Sequence, residues 1–177
     1  MKLIDLFEQQ VVIQGDVWIP RETTTLVGYK HKGKRIVQAK VLGDFYCSRT
    51  QIKSLEQGPS WVGGVFYCSE TEIKSFEGAP SYVGGGVNCW NTNIASLHNI
   101  HKQIKHIGTQ LYLSNTVKSH ILGVMLIKGL RGIKFHLGNT EQKQVENIIN
   151  KHLAGNRNVH DAQEELIEAG LAEYAKL

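Results

Sequence analysis

Phe45-Tyr46-Cys47-Ser48-Arg49-Thr50-Gln51-Ile52-Lys53-Ser54-Leu55 decides the reading of this chain, because it comes back. Twenty-one residues later it stands as Phe66-Tyr67-Cys68-Ser69-Glu70-Thr71-Glu72-Ile73-Lys74-Ser75-Phe76. After another 21 it returns, altered, as Val87-Asn88-Cys89-Trp90-Asn91-Thr92-Asn93-Ile94-Ala95-Ser96-Leu97. The connecting pieces match as well, Gly58-Pro59-Ser60-Trp61-Val62-Gly63-Gly64 against Ala79-Pro80-Ser81-Tyr82-Val83-Gly84-Gly85. A fourth copy, Leu111-Tyr112-Leu113-Ser114-Asn115-Thr116, follows after 24 residues, the extra three falling between Leu97 and Ile107. Upstream, Gly15-Asp16-Val17-Trp18-Ile19 resembles Gly43-Asp44-Phe45-Tyr46-Cys47 at an offset of 28. The extra seven lie in a basic stretch.

A repeat of 20 to 29 residues patterned L-x-L-x-x-N-x-L signals a leucine-rich-repeat-like solenoid. Here the pattern is Phe/Val-x-Cys-x-x-Thr-x-Ile-x-x-Leu/Phe. Successive side chains of a strand point to opposite faces, so Phe45 and Cys47 are expected inward and Tyr46 and Ser48 outward. Ile52, Leu55 and Val62 complete the filling of a coil. Thr50, Thr71, Thr92 and Thr116 hold the Asn position, where a hydroxyl can bond backbone in the turn leaving the strand. The Gly-Gly pairs are expected to supply unusual backbone angles before the next strand. A single coil cannot bury its apolar face, whereas stacked coils can.

The expected architecture is an α/β repeat: a short solenoid of about five coils over residues 12–122, with a parallel concave sheet and a basic insertion at 23–40. Residues 1–11 read as an N-terminal helical cap. Residues 123–177 read as a C-terminal cap with two helices. The stretch 124–135 is expected to hold a last strand and turn, before a helix capped by Asn139 and ended by Gly155. The second helix is expected over 158–175, with Leu166, Ile167, Leu171 and Tyr174 as its apolar face. These helices could cap the solenoid or dock a partner.

The repeat resembles the leucine-rich-repeat-like proteins encoded by tailed bacteriophages. The stretch Ser-Leu/Phe-Glu-x-x-Pro-Ser-x-Val-Gly-Gly, followed by a strand and Cys-Ser, carries the likeness, and the closing segments 145–153 and 164–174 are similar to the tails of such proteins. The resemblance implies a binding surface rather than an enzyme, and an accessory role in the cytoplasm of a bacterial host cell. It implies a host protein as partner, with inhibition of a defence system as one such role.

Composition fits a globular chain. Of 177 residues, 41% are hydrophobic and 20% charged, too apolar for disorder. The longest uncharged apolar run, 121–127, is too short to span a bilayer, and the opening residues do not read as a secretory signal. Net charge is +4, unevenly placed. Residues 1–138 carry 16 Lys and Arg against 9 Asp and Glu, and residues 139–177 carry 4 against 7. Lys30, Lys32, Lys34, Arg35 and Lys40 crowd one stretch, which reads as a solvated basic hairpin or as an attractor of phosphates or acidic surfaces.

No nucleophile elbow, phosphate loop or paired-carboxylate motif occurs, so no catalytic residue or cofactor is expected. Cys47, Cys68 and Cys89 share one inward repeat position that elsewhere holds Ile19 and Leu113, which favours core packing over a metal or redox site. His98, His101 and His106 lack a convergent fourth ligand and read as surface residues. The informative positions face outward. Trp18, Tyr46, Tyr67, Trp90 and Tyr112 form an aromatic stripe, flanked by Arg21 and Arg49. Such a stripe is expected to bind a partner. The runner-up is a nucleic acid or signalling nucleotide held by the stripe together with the basic insertion.

Overall fold

A computed structural model describes residues 10–177; the expected N-terminal helix lies largely outside them. The chain winds as a solenoid of short parallel strands. Its first turn contributes β1 (Val12–Ile13) and β2 (Val17–Trp18). A two-stranded hairpin follows, β3 (Lys30–His31) and β4 (Lys34–Arg35). The next turns contribute β5 (Lys40–Val41) and β6 (Phe45–Tyr46), β7 (Trp61–Val62) and β8 (Phe66–Tyr67), then β9 (Tyr82–Val83) and β10 (Val87–Asn88). After the one-turn helix α1 (Ile100–Gln103) come β11 (His106–Ile107) and β12 (Gln110–Leu113). A 3-10 turn (Leu122–Leu126), β13 (Gly132–Phe135), α2 (Thr140–Ala154) and α3 (Val159–Glu168) close the fold.

The strands form two parallel sheets, one of six strands in the order β13-β12-β10-β8-β6-β2 and one of five in the order β1-β5-β7-β9-β11. Four full turns separate the first and last strands of the five-stranded sheet. Register follows the repeat: Val17, Phe45, Phe66, Val87, Leu111 and Ile133 stand in one column. The 24- and 28-residue spacings leave this column intact because the extra residues are absorbed elsewhere. The three additional residues near Leu97 accommodate α1, and the basic insertion becomes the β3–β4 hairpin. That hairpin turns through Lys32 and Gly33, both with positive φ, as a tight two-residue turn requires.

The core runs between the sheets. Phe45, Cys47, Ile52, Leu55 and Val62 of one coil are almost fully buried, as are Phe66, Cys68, Ile73, Phe76 and Val83 of the next. Successive coils are joined by backbone bonds, including Cys47 N–H to Tyr67 O at 2.8 Å and Cys68 N–H to Asn88 O at 2.8 Å. Thr50, Thr71 and Thr92 each donate a hydroxyl to the carbonyl three residues earlier, at 2.7, 2.8 and 2.9 Å. Thr116 departs from this pattern and reaches back one coil, to Ile94 O at 2.7 Å and Thr92 O at 3.0 Å.

The Gly-Gly pairs serve a different purpose from the one expected. None of Gly63, Gly64, Gly84 and Gly85 has a positive φ. What they allow is close approach: a Cβ on Gly84 would collide with Gly63 O, and one on Gly63 would collide with Leu42 O. In these two coils the corner between the sheets is therefore stacked too tightly for a side chain, whereas Leu42 and Thr109 hold the matching places in the flanking coils.

At the C-terminal end, α2 takes up the outer edge of β13. Asn150 accepts from Ile133 N–H at 2.7 Å and donates to Ile133 O at 2.9 Å, while Glu146 accepts from Phe135 N–H at 2.9 Å. An edge strand with unpaired backbone groups would otherwise invite further pairing. Asn139 and Gln142 form a reciprocal capping box at the start of α2, and the buried Gln142 amide also donates to Asn115 O and Val117 O, both at 2.9 Å. His152 and Lys151 reach Glu165 of α3 at 2.8 and 2.7 Å. The second helix is shorter than expected. It ends at Glu168, and Gly170 takes φ +77, a conformation glycine tolerates. The chain then folds back so that Tyr174 is buried and its carbonyl accepts from Ile121 N–H at 3.0 Å. Ile167, expected on the apolar face, is 53% exposed, because α3 turns Ala162 and Leu166 to the core instead. Among the described residues no helix is long and apolar enough to cross a membrane.

Candidate functional site

The outward residues of the six-stranded sheet do not form one continuous aromatic stripe. Trp18, Tyr46 and Tyr67 form a stack, with ring centroids 3.6 and 4.7 Å apart and planes within 6°. Parallel pairing places these positions side by side on adjacent strands, where aromatic pairs stabilise one another. Asn88 then interrupts the column. Tyr112 stands beyond it, 37% exposed, its hydroxyl donating to Gln110 at 2.8 Å. Trp90 occupies the neighbouring column and packs on His136 at 4.6 Å.

This break makes a cleft of about 370 Å³. Trp18, Tyr46 and Tyr67 form one wall, and Arg21, Arg49 and Glu70 line the opposite side. Ser48 and Ser69, whose hydroxyls lie 2.9 Å apart, sit between them. Asn88 and Trp90 close the end. A second cleft begins on the far side of that partition, lined by Tyr112, Lys134, His136 and Leu137. Leu137 is 80% exposed and holds φ +51, a backbone region disfavoured for a leucine.

The seven residues expected to bind a partner are thus largely reunited: Trp18, Arg21, Tyr46, Arg49, Tyr67 and Trp90 border the first cleft, and Tyr112 and Trp90 the second. Arg49 and Glu70 are paired at 2.8 Å. Both stand at the same repeat position with positive φ, as does Asn91, so the turn leaving each strand presents its side chain in the same way. Tyr46 is the most constrained member. Its hydroxyl donates to Asp44 Oδ2 at 2.7 Å, and this bond, with smaller contributions from burial and nearby carboxylates, pushes the phenol up to about 12.

The basic insertion is not part of the cleft. Lys34 Nζ donates to Val12 O at 3.1 Å, on the first strand of the opposite sheet. Lys40 Nζ sits 4.4 Å over the Trp61 ring. Lys30, Lys32 and Arg35 are exposed.

A second aromatic ladder, missed in the sequence reading, stands on the five-stranded sheet. Trp61 and Tyr82 stack at 5.1 Å, and Tyr82 and His106 at 4.5 Å, with planes within 5°. The matched pairs Trp61-Val62 and Tyr82-Val83, followed by His106-Ile107, are out-in dipeptides in the sequence, but they sit within its connecting pieces.

The cysteines lie in the core. All three are free and buried, and burial pushes their thiols well above the ordinary range. Cys47 and Cys89 donate to the carbonyls of Tyr67 and Tyr112 on the next strand, at 3.3 and 3.0 Å. His98, His101 and His106 do not converge, and no cluster of three potential metal ligands occurs among the described residues.

Set against family models, curated proteins and solved structures, the chain matches none of them.

Proposed function

We propose that this chain is a non-catalytic binding module that holds a partner protein on the outer face of its six-stranded sheet. The observation that carries the reading is Trp18. It is 61% exposed at the end of the stacked ladder, on the outermost described strand, beside a cleft that ends at a second tryptophan. Exposed aromatics grouped in this way are the residues that dominate protein interfaces. The resemblance to phage-encoded repeat proteins makes a bacterial host protein the partner to seek, a component of a defence system included. In this reading the fold is leucine-rich-repeat-like, and α2 and α3 act as its cap.

Ring spacing weighs against a nucleic acid. A base inserted between two rings needs them about 7 Å apart, twice an aromatic contact distance. The ladder rings are 3.6 and 4.7 Å apart, too close to admit a base between them. The exposed lysines of the hairpin favour phosphate, but they line neither cleft.

The test is an affinity pull-down from bacterial lysate, with and without nuclease. It uses the wild-type chain, Trp18→Ala and Trp90→Ala, with Trp61→Ala on the opposite sheet as control. A stoichiometric protein retained by wild type and control, resistant to nuclease and lost with the first two variants, is the expected result. Recovery of nucleic acid alone, or equal retention by all four, overturns the proposal.

A further inference from the structure

The two clefts share the Asn88–Trp90 partition, and their free charges have one sign. Arg49 is neutralised by Glu70 at 2.8 Å. Arg21 in the first cleft and Lys134 in the second are exposed, and among the described residues neither forms an ion pair. Arg21 follows β2 and Lys134 lies in β13, the two outermost strands of the six-stranded sheet. Five inter-strand steps of about 4.8 Å place them about 24 Å apart along the solenoid. An extended chain rising about 3.3 Å per residue spans that distance in about seven residues. Between the two cations aromatic rings alternate with the Ser48, Ser69 and Asn88 side chains and the mutually neutralised Arg49–Glu70 pair, with Trp90 near the middle.

Resting on the protein-binding reading, we infer that the face takes an extended acidic segment of a partner. It runs across the strands, with a carboxylate at each end and apolar side chains between. Arg21 receives one carboxylate and Lys134 the other. The central side chains fill the clefts on either side of Trp90. Complementary charge at the ends fixes orientation and register, and burial around the tryptophan supplies most of the affinity.

A display library of random linear octapeptides, panned on the purified full chain, tests this directly. Enriched peptides are then synthesised with a fluorescent label and titrated by anisotropy. The expected consensus carries Asp or Glu near both ends and aliphatic or aromatic residues between. Arg21→Glu with Lys134→Glu, two exposed positions whose reversal leaves the fold intact, should weaken binding at least about tenfold. Trp90→Ala, checked for folding at the assay temperature, should weaken it about thirtyfold. Lack of enrichment, a consensus without acidic ends, or indifference to the double reversal overturns the inference. Tighter binding of a labelled ten-residue oligothymidylate than of any peptide also overturns it, in favour of nucleic acid. If the pull-down still yields a partner lost with Trp18→Ala and Trp90→Ala while no peptide is enriched, the protein-binding reading stands and only the extended acidic segment fails.

Discussion

The two aromatic ladders of this solenoid arise from the same repeat and end differently. On the five-stranded sheet, Lys40, Trp61, Tyr82 and His106 follow one another on adjacent strands without a gap, each packed on the next. On the six-stranded sheet, Trp18, Tyr46 and Tyr67 do the same, but the next position is Asn88, and the bulky side chain moves two residues along to Trp90. A complete ladder consumes its ring faces in neighbour contacts and stiffens the coil stack. An interrupted one leaves a cleft with a tryptophan at each end. Exposed aromatics alone therefore do not distinguish the two faces; the defect in their periodicity, and the cleft beside it, does.

The largest effect should come from breaking what both ladders share. Phe66 sits at the centre of the core column, and Phe66→Ala should cost about 3–5 kcal/mol in chemical denaturation, collapsing both faces together. Gly84→Ala should come next. Its methyl group would collide with Gly63 O, and the resulting strain at the corner between sheets should cost about 1–3 kcal/mol.

A smaller pair of changes should separate the faces. Trp61→Ala removes one stacking partner and should cost about 0.5–1.5 kcal/mol beyond its lost burial, read as a lower melting temperature with partner binding unchanged. Trp90→Ala, equally half-buried against a ring, should carry a similar stability loss but in addition lose about 2 kcal/mol of binding. Equal effects of both on binding would erase the distinction.

The smallest expected effects are electrostatic. Tyr46 has its phenol pushed up to about 12 by Asp44, so its neutral form is favoured by folding. The associated stability is fully present below pH 10 and declines as pH rises toward 12. Asp44→Asn should bring one tyrosine back toward ordinary titration, visible in the ultraviolet spectrum. Glu165 is held below the usual carboxylate range, first by its hydrogen bond from Lys151 and then by that from His152. Its contribution is present above the ordinary glutamate range and is lost as pH falls through the lowered value. Glu165→Gln should reduce the loss of thermal stability between neutral pH and pH 3 by less than about 1 kcal/mol, since the carboxylate is partly exposed.

Much of the fold was legible because a solenoid is nearly one-dimensional. The 21-residue return of Phe45-Tyr46-Cys47 dictated coil length, inward and outward positions and the core column, and the burial of Cys47, Cys68 and Cys89 followed from their shared place in it. The aromatic members of the candidate site were legible for the same reason, since Trp18, Tyr46 and Tyr67 are outward by parity. What parity could not provide is how outward side chains meet across strands. That Trp90 leaves the ladder for His136, and that Arg49 is silenced by Glu70, depends on contacts between residues 21 or more positions apart.

The second sheet escaped because Trp61-Val62 and Tyr82-Val83 run straight into Gly-Gly pairs that suggest a turn, whereas Phe45-Tyr46 continues its alternation into Cys47-Ser48. Those glycines show where local reasoning stops. Their sequence position marked a corner, but only the stacking of one coil on the next decided that the corner needed absent side chains rather than unusual backbone angles. By itself the sequence determined the period, the parity and hence the solenoid, because these are local properties repeated along the chain. The tertiary structure decided which outward residues are spent on one another and which keep an exposed face, because that depends on distances set between coils.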